Sequence, residues 1–244
     1  NALIYDNSNK LWNVNTIKGT KEISYSASHV IYTPPPQGLM QLLVDSPDIY
    51  KNYINRLGRL PNPSGALVFY SAINKQNLKS VISNHYQFAD DDLGSLFISL
   101  SNEGDGRAPI GEITLIASIF TKTKEWIGLD KDSYILKKKD YFEKISNVIQ
   151  KKLQISPDKW LHRELSTPLS FEKWTNRPNG VVGGLGQSPN VFGLFGLSSR
   201  TPFKGLWLSG DSIYPGEGTA GVSQSALMVS RQILASEGIN NFNI

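Results

Sequence analysis

The sequence predicts an α+β fold: a mixed β-sheet layer with covering helices, followed by a terminal strand–loop–helix unit. Three observations predict it. Apolar residues alternate with others at Leu96, Ile98 and Leu100, and again at Ile113, Leu115, Ala117 and Ile119, which is the two-residue period of a strand with one buried face. Tyr141, Phe142, Ile145, Val148, Ile149 and Leu153 recur at three- and four-residue steps, the period of a helix buried along one side. Near the end, apolar Leu206–Leu208 leads into a glycine-rich loop and then a helical stretch over 219–235, with Val222, Ala226, Val229 and Ile233 on one face.

Taken in order, "LWNVNTIKG" and "ASHVIYT" read as short strands, rich in β-branched and aromatic residues. Pro34, Pro35 and Pro36 end the second, because proline has no ladder donor. Residues 39–57 read as a helix in two pieces, interrupted at Pro47, with Asp45 or Ser46 as cap of the second piece. "GRLPNPSG" is a loop and "ALVFYSAI" a strand. The segment "NEGDGRAPIG" joins the two alternating strands as a turn. The helix over 133–153 carries Lys137, Lys138, Lys139, Lys144, Lys151 and Lys152 on its polar side. "WLHREL" is a further strand, 167–178 is mixed, and glycines dominate 180–196. No internal repeat is present.

Composition narrows the function. With 39% apolar and 19% charged residues the chain is globular in type. A net charge of +4 is too mild for a general nucleic-acid binder, so no nucleic-acid partner is expected. The absence of cysteine excludes disulfides, thiolate metal sites and cysteine nucleophiles, and no metal is expected. No apolar run approaches the ~20 residues that span a bilayer. A cytoplasmic setting is expected, peripheral to a membrane if the lysine face docks on anionic lipid rather than being merely solvated. The first residues, "NALIYDNSNK", read as the interior of a longer chain.

The terminal loop contains Gly216-x-Gly218-x-x-Gly221. A dinucleotide-binding turn has this spacing, but there the first glycine follows its strand almost at once and a second strand comes later. Here "DSIYP" intervenes and no second strand follows, which disfavours an NAD-dependent dehydrogenase. Thr219 is a good cap type for the closing helix. The first-turn amides of that helix suit an anionic or carbonyl-rich ligand. Asp211, at the carboxyl end of a strand, either holds polyol hydroxyls or caps its own turn.

"GLWLSGDSIYPGEGTAGVSQSALMVSRQIL" closely resembles the C-terminal flavin-binding signature of the phytoene desaturase and carotenoid isomerase family of FAD-dependent oxidoreductases. "ASHVIYTPPP" is similar to the strand by which that family returns to its FAD domain. "SLFISLSNEGDGRAPIGEITLIAS" is similar to its strand–"APPG"–strand hairpin, with Ile110 departing, and "TPLSFEKWTNRPNGVVGG" to a segment near the flavin. The family's N-terminal GxGxxG βαβ unit has no counterpart here.

The resemblance implies FAD as cofactor. It implies that residues 1–37 are strands returning to a Rossmann-like FAD domain, 38–199 a substrate domain, and 200–244 the last strand and helix of the FAD domain. It places Gly210 and Asp211 toward the ribityl chain, and Gly218, Thr219, Ala220, Gly221 and Val222 toward flavin and phosphate. The substrate is then a hydrophobic polyene in an apolar tunnel, with Phe171, Trp174, Phe192 and Phe195 as its lining or, alternatively, as plain core. Desaturation with hydride transfer to flavin is the first expectation. Flavin-dependent cis–trans isomerisation is the alternative, and a non-catalytic lipid-binding remnant the alternative from another class. No catalytic base stands out: His29, His85 and His162 read as isolated surface or strand residues. Lacking the nucleotide fold, the chain alone is expected to be inactive, and to pair as a homodimer through the surface left exposed.

Overall fold

A computed structural model describes residues 2–43, 47–61, 63–78, 83–186, 188–192 and 195–239. In chain order, the opening segment supplies β1 (Ala2–Asp6), β2 (Leu11–Lys18), β3 (Lys21–Ala27), β4 (Val30–Tyr32), α1 (Leu39–Leu42) and α2 (Lys51–Gly58). The middle supplies β5 (Gly65–Asn74), β6 (His85–Asp90), β7 (Gly94–Leu100), β8 (Glu112–Thr121), α3 (Lys131–Leu153), β9 (Trp160–Ser166) and α4 (Pro168–Thr175). The close supplies β10 (Leu206–Leu208) and α5 (Gly218–Ser236). The chain divides into two compact units, Asn1–Pro63 with Gly183–Ile244, and Ser64–Val182.

The Ser64–Val182 unit is a five-stranded sheet in the order β6-β7-β8-β5-β9. The α+β class is as expected, but this sheet is antiparallel at every pairing rather than mixed; short connections between β6, β7 and β8 leave no room for the crossover a parallel pair needs. The alternating residues of β7 and β8 are buried as the two-residue period requires. They meet Ile145, Ile149 and Leu153 of α3 in one apolar core, together with Trp126. Asp130 caps α3, accepting from the amides of Asp132 and Ser133. The other face of the sheet stays partly exposed at Tyr70, Phe97, Ile116 and Phe120. Tyr70 lies opposite Ile116, and Phe97 opposite Ser118, so these side chains form one patch.

The segment 167–178, mixed in sequence, contains α4, started by a capping box between Thr167 and Ser170 with Pro168 at the first helical position. Three of the lysines of α3 make contacts besides those with solvent. Lys137 lies over the Trp126 ring, Lys144 over Tyr141 and Lys152 over Phe88, while Lys137 and Lys144 also pair with Glu125 and Asp140.

The other unit holds an antiparallel meander, β1-β2-β3, and the parallel pair β4–β10. Its core joins Trp12, Leu39, Leu43, Leu57 and Leu60 to Leu206, Leu208 and Ile213. Residues from within the expected 38–199 substrate segment thus pack with the terminal strand. The two-piece helix broken at Pro47 is present as α1 and α2; its expected caps, Asp45 and Ser46, lie outside the described residues. Trp12 donates its indole N–H to the Lys204 carbonyl at 2.8 Å, and stands in an aromatic cluster with Tyr5, Tyr50, Tyr53 and Phe203. Burial pushes the Tyr53 phenol up to about 12.

Candidate flavin-binding loop

The candidate site is assembled at the carboxyl end of β10. Leu206–Leu208 is buried along its whole length and pairs in parallel with Val30–Tyr32. The chain leaves the strand at Ser209, whose N–H bonds the Tyr32 carbonyl at 3.1 Å. Gly210 (φ 116°) donates its N–H to the Ser225 hydroxyl at 3.1 Å. Ser225 lies on α5 and is 1% exposed, so this bond fixes the start of the loop against the helix.

The loop returns to α5 through Gly216 and Gly218, both at positive φ, which only glycine adopts without strain. A Cβ on Gly221 would lie 2.4 Å from the Gly216 carbonyl oxygen, so the helix start is pressed directly on the loop backbone. The expected Thr219 cap is not the cap. Thr219 sits inside the first turn, and Glu217 holds the N-cap backbone (φ −73°, ψ 168°) with no side chain bonded to the first-turn amides. Gly218, Thr219 and Ala220 are exposed. Of the expected stripe on α5, Val229 is buried, Val222 and Ile233 are half-buried and Ala226 is exposed; Ser225 is buried as well.

A second segment closes on this loop. Gly184 donates its N–H to Glu217 Oε1 at 3.0 Å. A Cβ on Gly184 would stand 2.0 Å from the Asp211 carbonyl oxygen, and one on Gly183 2.8 Å from the Glu217 carboxylate. Asp211 itself accepts from the Ser212 hydroxyl at 3.3 Å. Leu185, Phe192, Tyr214, Gly216 and Glu217 line a small cleft beside it.

Of the residues read from sequence, the structure brings together Gly210, Asp211, Gly218, Thr219, Ala220, Gly221 and Val222, with Phe192 standing over Gly216. Phe195 belongs to the same unit but is 65% exposed. Phe171 and Trp174 lie on α4 in the Ser64–Val182 unit, Trp174 at 78% exposure beneath the Lys173 ammonium. Phe171 is half-buried, and Trp174, Phe192 and Phe195 are exposed. The histidines are not isolated. His29 accepts the Trp207 indole N–H at 3.0 Å, which leaves its ring proton on Nε2, 2.7 Å from Glu237. His85 stacks on Phe97, and His162 lies 3.8 Å from Glu164. Sequence reasoning missed Glu217, for which an acid at a cap position was the available signal; Gly183 and Gly184 end the segment it placed near the flavin, without a role of their own.

These donors fit a flavin. An uncapped, exposed helix start suits carbonyl and phosphate oxygens, the glycines let a ligand touch backbone, and no acid side chain occupies the first-turn amides. Among the described residues no group of three or more His, Asp or Glu is placed to hold a metal ion, and no helix is long and apolar enough to cross a membrane.

In fold the chain is similar to an oxidoreductase from Methanosarcina mazei, whose crystal structure superposes with a TM-score of 0.59 over 94% of this chain and 48% of that one, at 14% identity. In sequence, the chain is similar to the carotenoid isomerase family that its terminal signature resembles. The chloroplastic prolycopene isomerase of Arabidopsis thaliana is 27% identical over 162 residues, 65% of this chain and 27% of that protein. That of Daucus carota is 27% identical over 165 residues, with 64% and 27% covered. Prolycopene isomerase 1 of an Oncidium hybrid cultivar is 31% identical over 151 residues, covering 60% and 25%. The matched part spans about a quarter of each of these relatives. No protein-family model matches the chain.

Proposed function

We propose that this chain carries the closing part of a flavin site, and a polyene-binding sheet, of a flavin-dependent carotenoid-modifying enzyme. The observation that carries the reading is the uncapped amino end of α5 at the carboxyl end of β10. Bound FAD supplies hydride-transfer chemistry. The chain's own part would be to hold it: the free first-turn amides of residues 218–220 would meet its oxygens, with Gly221 and Val222 in the turn behind them, Asp211 would take ribityl hydroxyls, and Gly210 and Gly216 would let the ring approach backbone.

The partly exposed face of the five-stranded sheet, with Tyr70, Phe97, Ile116 and Phe120, suits a long apolar substrate and excludes water from it. Phe171 and Trp174, of the same unit, are further candidates for its lining, while Phe192, of the other unit, stands in the cleft beside the flavin loop.

Cis–trans isomerisation of a polyene is the first reading, because the curated relatives are named prolycopene isomerases. Desaturation, the first expectation from sequence, is the second; it rests on the similarity of "VVGGLGQSPNVFGLFGLSSRTP" to that branch, since the terminal signature is common to both reactions. The visible spectrum of the purified full-length gene product tests the cofactor: flavin bands are expected, and a colourless product that takes up no added FAD rejects the reading. Product mass then separates the reactions, since desaturation removes two hydrogens and isomerisation none. A homodimer, contact with a membrane surface and a cytoplasmic setting belong to this proposal as well.

A further inference from the structure

We infer that Glu217 is a positioning residue: by engaging the Gly184 N–H it keeps its own carboxylate off the first-turn amides of α5, leaving that helix end open, and it ties residues 183–186 to the loop 209–217. The inference rests on the flavin reading above.

Three observations carry it. The backbone of Glu217 already has the extended conformation of an N-cap residue, from which a short acid or hydroxyl side chain bonds the amides two or three residues on. Its longer side chain instead reaches Gly184 at 3.0 Å. Finally, the place it reaches is built to receive it. Gly183 adopts φ +73°, and any Cβ there would stand 2.8 Å from the Glu217 carboxylate; Gly184 lies so close to the Asp211 carbonyl that no side chain fits. The acid, the glycine pair and the Asp211 backbone therefore interlock. The arrangement resolves a conflict that a carboxylate at this position creates. The partial positive charge of a helix start attracts the helix's own acid as readily as a ligand's oxygens, and a self-capped α5 has less to offer a flavin.

The test uses the full-length gene product, with FAD as the probe, and three variants. Glu217→Asp shortens the acid into capping reach, so the melting temperature without FAD is expected to hold or rise while FAD affinity falls by roughly fivefold, the scale of one side-chain cap. Glu217→Gln keeps an acceptor for Gly184 and is expected to bind FAD like the parent. Glu217→Ala removes the tether: hydrogen exchange at the Gly184 amide speeds up and FAD affinity drops roughly tenfold, the scale of one charge-assisted hydrogen bond. A merely structural role would move stability and affinity together, so opposite movement in Glu217→Asp is the deciding result. The role is overturned if the parent binds FAD and Glu217→Asp binds it equally well, if Glu217→Gln behaves like Glu217→Ala, or if Gly184 exchange is unchanged in Glu217→Ala. A parent chain that takes up no FAD overturns the flavin reading itself, and this role with it.

Discussion

The β5–β8 pair and the β4–β10 pair are held in register by different means. β5 and β8 match along ten residues each, from Gly65↔Thr121 to Asn74↔Glu112, and send alternate side chains into the core under α3. β4 and β10 match along three residues, and all three of β10 are buried. The long pair carries its own instruction, because a slip of one residue would turn Leu67, Phe69 and Ile73 out of the core. The short pair carries almost none. Its register is set by groups that clasp it from outside: Trp12 on the Lys204 carbonyl, His29 on Trp207, and Ser225 on Gly210. The lesson is that the binding loop depends on polar contacts between segments distant in sequence, whereas the sheet depends on burial.

The largest effect is expected where burial rules. Trp126→Ala empties a fully buried position and removes the indole N–H bond to Thr121, and should cost about 3–5 kcal/mol. Denaturant unfolding reads the loss; a cost under about 1 kcal/mol would break the claim that the sheet unit rests on its core. Gly184→Ala forces a methyl into the Asp211 carbonyl and should cost about 2–3 kcal/mol, with faster hydrogen exchange across 209–217. Ser225→Ala deprives Gly210 of its acceptor and should cost about 1–2 kcal/mol. It should also weaken FAD binding more than Trp126→Ala does, which would sharpen the contrast between a loop held by polar contacts and a sheet held by burial. His29→Ala leaves the Trp207 indole unpartnered and should cost about 1 kcal/mol. The smallest effect is a pH dependence. The Ser133 hydroxyl, with the Ser133 and Asp132 amides, holds the Asp130 carboxyl below the usual carboxylate range. The cap on α3 is therefore present in full above the ordinary carboxylate pKa and lost as pH falls through the lowered one. NMR titration of the Ser133 amide should show this, and should show no such step in Asp130→Ala.

Legibility in the sequence followed the same divide. Where burial alone decides, as at Leu96, Ile98, Leu100 and along Ile145, Ile149 and Leu153, the pattern in the sequence matched the structure. β6 was not read, because its apolar members Tyr86 and Phe88 are only partly buried and the period is faint. α4 was missed because eight residues give too few turns for a period to emerge, although its Thr-Pro-x-Ser start is a cap signal. In the candidate site the glycines and Asp211 were legible through a known signature. Glu217 and the true cap position were not, since a contact from 217 to 184 has no local trace. His29 looked isolated for the same reason, its partners lying at 207 and 237.

The parallel ladder between Val30–Tyr32 and Leu206–Leu208 also sets a timetable. During synthesis β4 emerges first and must wait, one edge bare, while the whole Ser64–Val182 unit is made and can fold. Only when Leu208 has left the ribosome does the waiting strand find its neighbour. Contacts so far apart in sequence form slowly. The loop after β10 therefore cannot be completed until Ser64–Val182 has been made, and a ribosome that stalls before residue 206 releases a chain holding β4 but not the strand it pairs with.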